Sequence, residues 1–293
     1  AGGSCRPGPG GAAARGRAGC RAEAGSGNGA DDASGMDAGA PKGGEEEDST
    51  NVELFRQSLI QGWGGGAVGS GDSKSDWAEV IGPDDLRAGD LLLGDPAGFF
   101  GEGAAAGPQR IGLGDRIPAD APRQRLLRML PVVLLSKVGE DGTAEGLWLT
   151  MRTGHLMGDF VNHFHSRPLH YGGPENSVLT MVHPYPQVPG SKLLSEETGL
   201  YLGGDIVGAQ TWVEEGQGSS LRFRFFLNNI RWAKDELRAE VTRSEDRPWI
   251  PVRCSADLVL AEVDSIDDKP LWVRVAELAG GEAEAAGRRH NLI

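Results

Sequence analysis

Cysteine is scarce in this chain: three among 293 residues, at Cys5, Cys20 and Cys254. An odd count, with two members in a glycine-rich segment, makes no disulfide framework and fits a reducing compartment. Cys254 reads as a small buried hydrophobe rather than a reactive thiol. Long apolar runs are missing as well. None approaches the ~20 residues that a membrane helix requires, so no transmembrane segment is expected. Basic residues are outnumbered: 29 Lys and Arg stand against 42 Asp and Glu, a net charge of −13 and a pI near 4.9. That balance argues against a general nucleic-acid or membrane-surface binder, which needs clustered cations. Walker A, His-Glu-x-x-His and Gly-x-Ser-x-Gly are all absent, so no P-loop, zincin helix or nucleophile elbow is present. Gly101-Glu102-Gly103-Ala104-Ala105-Ala106 matches a dinucleotide fingerprint in letters alone. It has no clear strand before it or helix after it, and it reads as a flexible loop. No cofactor is implied.

Glycine is abundant, 46 residues, and crowds the N-terminal third. Residues 1–22 carry Arg6, Arg15, Arg17 and Arg21 and no acid, which resembles the end of an organelle transit peptide. Residues 23–48 turn acidic and close on Glu45-Glu46-Glu47-Asp48, a like-charge block that stays solvated. The whole of 1–48 is expected to be disordered. Thr50 and Glu53 fit a capping box, and Val52, Phe55 and Leu59 then share one helical face. Gly62 and Gly64-Gly65-Gly66 stop that helix, so residues 49–76 read as helix and linker. A single domain is expected over 77–281 and a loose tail over 282–293.

Within the domain, Leu91 to Leu93 reads as a buried strand. Residues 98–124 read as a long disordered insertion rich in Gly, Pro and Ala. Met129 to Leu135 is an apolar strand in which Pro131 suggests an edge or a bulge. Glu140-Asp141-Gly142 signals a hairpin turn and Leu147 to Met151 the returning strand. A short helix is expected over 157–163 and strands near 169–171, 178–183 and 200–202. Asp205 can cap a helix from Ile206 to Glu214. Leu221 to Leu227 alternates Leu221, Phe223 and Phe225 with Arg222 and Arg224, the pattern of a half-buried strand. Residues 233–241 read as a helix, 249–252 as extended. Pro270 opens a last helix carrying Leu271, Trp272, Val275 and Leu278, which Gly280-Gly281 ends. Strands and helices interleave irregularly, with hairpins, so the class is α+β or mixed α/β, and α+β is preferred. Val132–Leu135, Leu147–Leu149 and Phe223–Phe225 are expected in one sheet.

Paired glycines punctuate the centre of the chain at Gly172-Gly173-Pro174 and Gly203-Gly204. Such pairs mark sharp turns or close backbone approach, because glycine alone tolerates positive φ cheaply. His155, His163, His165, His170 and His183 fall within thirty residues, and an extended backbone would put His163 and His165 on one face. Zinc takes such ligands with a third His or carboxylate, so a metal site on His163, His165 and His170 is the alternative to a structural reading. Ser177, His183 and Asp205 could form a triad, though no elbow flanks the serine. Trp232 at a strand-to-helix corner reads as core packing or ligand stacking.

Taken in order, these motifs resemble the AlgH/YqgE family of uncharacterised proteins. The resemblance rests on Gly89 to Leu93, Val132 to Leu135, Gly172-Gly173-Pro174, His183, and the Trp-containing stretch from Phe226 to Glu240, and it covers residues 77–279. The upstream helix and Trp77-Ala78 resemble plant and algal members, so a chloroplast location is implied, with the cytoplasm as the alternative. The resemblance implies a bifurcated mixed sheet curled into a pseudo-barrel with flanking helices, and no established activity. Three stretches depart from it, one of them Glu236-Leu237 where the family has Gln-Leu. Leu149-Thr150-Met151-Arg152 stands where the family has Leu-Asn-Arg-Pro, and Asn228-Asn229-Ile230-Arg231-Trp232 where it has Gly-Tyr-Ala-Gly-Trp. The function read from all this is a non-enzymatic regulatory or protein-binding role with an unidentified protein partner. Its surface would involve Gly172, Gly173, Pro174, His183, Gly203, Gly204 and Trp232. A metal-dependent hydrolase using the His155–His183 cluster is the alternative, and no catalytic residue is assigned.

Overall fold

Two six-stranded sheets carry the fold in the computed structural model, which describes residues 76–100, 106–113, 125, 128–261 and 269–293. The described residues lie in one unit, Asp72–Ile293. The readings of 1–48, of the 50–63 helix and its linker, and of 101–105 and 114–124 fall outside the described residues.

The first sheet holds β1 (Ala78–Val80), β2 (Leu91–Gly94), β3 (Val132–Val138) and β4 (Ala144–Trp148). The second holds β5 (Arg152–Leu156), β6 (Pro168–Tyr171), β7 (Thr180–His183), β8 (Lys192–Ser195), β9 (Leu200–Leu202) and β10 (Arg224–Leu227). The chain then returns to the first sheet with β11 (Ile230–Trp232) and β12 (Trp249–Cys254). The orders are β1-β12-β2-β3-β4-β11 and β5-β6-β10-β7-β9-β8, antiparallel throughout except for β6 beside β10. Each sheet ends on two edge strands, and no ring closes among the described residues.

The apolar runs of β2 and β3 are buried at every position from Leu91 to Leu93 and from Val132 to Leu135. That is why they take interior places, since an edge would leave one side wet. Pro131 does not mark an edge. It lies ahead of β3, so its missing N–H leaves no gap in the ladder, while its carbonyl accepts from Gly94 N at 2.9 Å. Phe223 and Phe225 do not join β3 and β4 in one sheet: β10 belongs to the second sheet, where both rings pack on Phe164 at about 5 Å. Leu221 and Arg222 form a 3-10 turn ahead of β10, so the strand is shorter than its alternation suggests.

Seven helices are described: α1 (Pro96–Phe100), α2 (Ala106–Arg110), α3 (Ile206–Glu214), α4 (Glu236–Thr242), α5 (Ala256–Leu260), α6 (Leu271–Ala279) and α7 (Gly281–Arg289). None is long and apolar enough to cross a membrane. Asp205 caps α3 by accepting from Val207 N at 3.1 Å and Gly208 N at 3.0 Å, which satisfies first-turn amides. Two expectations are corrected here. The described part of the 98–124 insertion is ordered: Phe99 on α1 and Ile111 after α2 are buried in the main core. The tail is not loose, because α7 buries Ala283 and Ala286 on that core. Small residues hide a helical face from any reading that looks for large apolar side chains. The helix expected over 157–163 is a single 3-10 turn, Met157–Asp159.

Trp148, Trp232, Trp249 and Trp272 anchor the main core. A smaller core under the second sheet gathers Met157, Phe164, Met181, Phe223 and Phe225. Cys254 is fully buried in β12, and burial pushes its thiol up to about 12, which keeps it unreactive.

Candidate functional site

A cleft of about 510 Å³ opens where β11, α2, α4 and the segment after β6 meet. That is within the size range of ligand pockets. Its floor is a knot around Glu240, a carboxylate only 4% exposed. One oxygen accepts from the indoles of Trp232 and Trp249, both at 2.8 Å. The other accepts from Arg110 Nε at 3.1 Å and Nη2 at 2.8 Å. Arg110 also pairs with Glu236, lies over the Trp232 ring at 5.9 Å, and donates to the Arg231 carbonyl at 3.2 Å. Burial alone would lower the Arg110 guanidinium; its bonds to Glu240 and Glu236 more than reverse that and hold it above its ordinary value. Pro174 and Glu175 form one wall, Ala239 and Arg243 another.

The glycines before Pro174 are set by contact. A Cβ on Gly172 would sit 2.2 Å from the Asn228 carbonyl oxygen, and one on Gly173 would sit 2.3 Å from the Asn229 carbonyl. Gly172 N donates to Leu227 O and Gly172 O accepts from Trp148 N, while Glu175 and Asn229 exchange two backbone bonds. The motif thus clasps the turn that carries the chain from β10 in one sheet to β11 in the other. Of these sequence candidates, Pro174 lines the cleft and Trp232 donates to its floor, with Gly172 and Gly173 just ahead of Pro174.

His183, Gly203 and Gly204 form a separate group in the second sheet. His183 Nδ1 accepts from Tyr185 N at 3.3 Å, so Nε2 carries the proton and donates to Gly203 O at 3.0 Å. Burial, the largest cause, lowers its pKa despite these bonds. Both imidazole nitrogens are committed to the backbone, and Asp205 is committed to its helix, so Ser177, His183 and Asp205 do not form a triad. The other histidines are scattered. Phe164 between His163 and His165 has φ 52° and is buried, which turns the two imidazoles off a common extended face. His170 meets Phe225 O through Nδ1 at 3.2 Å and Arg224 through Nε2 at 3.2 Å. Burial and then the Arg224 charge drive it down to about 2, a neutral imidazole beside a cation and a poor place for a metal ion. Among the described residues no three His, Cys, Asp or Glu side chains converge as a metal site needs.

Arg222 and Arg224 have different surroundings. Arg222 pairs with Asp257 at 2.6 Å, and Arg224 is buried. Arg224 donates to Leu149 O, to Val259 O and to His170, which ties β10 to the end of β4 and the end of α5. Burial, then the nearby Arg152 and Arg167, pull it down to about 9, still charged at neutral pH. The Gly89-Asp90 turn before β2 makes a second junction. Gly89, at φ 94°, lies against Ser195 of β8, and buried Asp90 pairs with Arg253 at 2.7 Å.

A family model described as AlgH-like (DUF179) matches residues 130–284. The chain belongs to the AlgH-like family. UPF0301 protein BF2109 of Bacteroides fragilis is 27% identical over 161 residues, 54% of this chain and 77% of that protein. A UPF0301 protein of Bacteroides thetaiotaomicron matches with the same identity and coverage. An X-ray crystal structure of protein DIP2367 from Corynebacterium diphtheriae superposes at a TM-score of 0.45 with 14% identity, over 70% of this chain and 94% of that one. Two of the stretches that the resemblance marks as departures, 149–152 and 228–232, fall where the chain passes between sheets, from β4 to β5 and from β10 to β11.

Sequence reasoning missed Arg110, Glu240, Arg231 and Arg243. Arg110 lies in the stretch read as a disordered insertion, 130 residues from Glu240. No spacing rule links residues that far apart.

Proposed function

We propose that this AlgH-like chain is a non-enzymatic regulatory protein of the plastid that binds a protein partner through the cleft at Pro174, Trp232 and Glu240. The observation that carries the reading is the Glu240 knot. It holds a concave surface rigidly next to a clasp between the sheets, so an occupant meets a preformed shape. The commitment of His170, His183 and Asp205 to structural bonds supports a binding role over catalysis. The acid-free segment around Arg6, Arg15, Arg17 and Arg21 supports the plastid. The two sheets are read as the halves of the family's bifurcated, curled sheet.

The test is affinity capture from chloroplast extract with the full chain and with Ala239→Trp, which fills the cleft from an exposed position. A specific partner retained by wild type and lost by the variant is expected; equal retention refutes the cleft. A fluorescent fusion of the full chain should coincide with chlorophyll. A cytoplasmic signal overturns the location.

A further inference from the structure

The cleft's charges are not all alike. Arg110, Glu236 and Glu240 satisfy one another in the floor, with the two indoles completing Glu240. Arg231 and Arg243 are different. Both are exposed, both line the cleft, and neither guanidinium makes an ion pair or hydrogen bond among the described residues. Glu175 is the one lining carboxylate outside the knot, and its backbone is held in the bridge to Asn229. Over the whole lining three guanidiniums balance three carboxylates, but two of the guanidiniums, Arg231 and Arg243, are without partners and stand outside the knot against Glu175 alone.

We propose that the cleft receives an acidic segment of the partner polypeptide, its carboxylates engaged by Arg231 and Arg243. This rests on the cleft being the binding surface argued above. A guanidinium fork matches a carboxylate with two parallel bonds, which a hydrated ammonium does not. The partner's backbone then has Pro174 and Ala239 as its apolar contacts, and Glu175 opposes excess acid at one wall. The chain's overall negative charge does not steer such a partner from afar. Screening confines the attraction to about 10 Å at 0.1 M salt, so recognition is local to the cleft.

The probe is fluorescein-labelled hexaglutamate, with hexalysine as control, titrated with the full chain by fluorescence anisotropy. Hexaglutamate should bind and hexalysine should not. Arg231→Gln with Arg243→Gln should weaken hexaglutamate about tenfold, and Glu175→Gln should strengthen it about twofold. All three positions are exposed, so melting curves should stay near wild type, and circular dichroism checks this. Absence of hexaglutamate binding, equal binding by the double variant, or displacement by inorganic phosphate at equimolar carboxylate would each overturn the proposal, the last by reassigning the site to a small anion. Ala239→Trp separates the two readings. If it blocks the natural partner while the arginine variants do not, the cleft stands and the acidic partner falls. If neither blocks it, both fall.

Discussion

Replacing Glu240 by Gln tests the knot under the cleft most directly. The carboxamide keeps the shape, and its oxygen can still accept from Trp232 and Trp249, each 2.8 Å away in the native protein. Its nitrogen replaces the oxygen that faces Arg110, setting N–H groups against a guanidinium. A hydrogen bond to a charged group is worth ~1.5–3 kcal/mol. Arg110 keeps Glu236 as a partner, so the expected loss is about 2 kcal/mol. In a domain of this size that lowers Tm by about 4–8 °C. Glu240→Ala is worse: it strands two buried indole N–H groups and breaks a buried pair, about 4–5 kcal/mol out of a typical ~5–15. Urea denaturation followed by tryptophan fluorescence reads both variants, because two of the reporting indoles are the ones released. Arg110→Ala and the double variant complete a cycle. A coupling near ~2 kcal/mol is expected. A Glu240→Gln protein within about 0.5 kcal/mol of wild type, or purely additive losses, would refute the account of the knot.

His170 is held far below its ordinary value of 6.5, so its stabilising neutral form is complete above that pH. Stability then falls by up to ~1.4 kcal/mol per unit as pH drops below 6.5, with His183 adding in the same direction. Denaturation curves across that range and NMR titration of the His170 ring check it, and a midpoint near 6.5 for His170 would contradict the burial argument. Gly173→Ala should cost about 3 kcal/mol or more, since its Cβ meets the Asn229 backbone at 2.3 Å; Gly199→Ala, with nothing within 4 Å, should cost only about 1–2 for its positive φ. Phe225→Ala should cost ~3–5 kcal/mol by emptying the smaller core, and an unchanged Tm would remove Phe225 from that core.

Local chemistry is legible in the sequence. Asp205 as a cap, Pro270 ahead of α6, Gly142 in the β3–β4 hairpin and the buried runs of β2 and β3 all follow from rules acting over a few residues. The AlgH-like resemblance likewise rested on short motifs in order. What stayed hidden depends on partners distant in sequence. Nothing in Phe223 and Phe225 says which of two sheets will take them, because alternation specifies a face and not a neighbour. The insertion around Arg110 looked structureless because its helices are five residues long and glycine-rich. The left-handed turn at Phe164, which parts His163 from His165, has no glycine or asparagine to announce it. The Gly-Gly-Pro motif was legible as a close approach, but what it approaches was not.

The bond from Arg110 to the Arg231 carbonyl also bears on how copies of this protein behave in a crowded solution. β11 is the outermost strand of its sheet, and an outermost strand offers a template on which another molecule can add a strand of its own. Here that template is three residues long, its outward carbonyl is already occupied, and an arginine side chain stands over it. Growth of the sheet past β11 is therefore blocked by the same guanidinium that closes the cleft floor. Beyond the stability lost with the knot, an Arg110→Ala protein exposes that margin, and size-exclusion chromatography across a concentration series should show self-association.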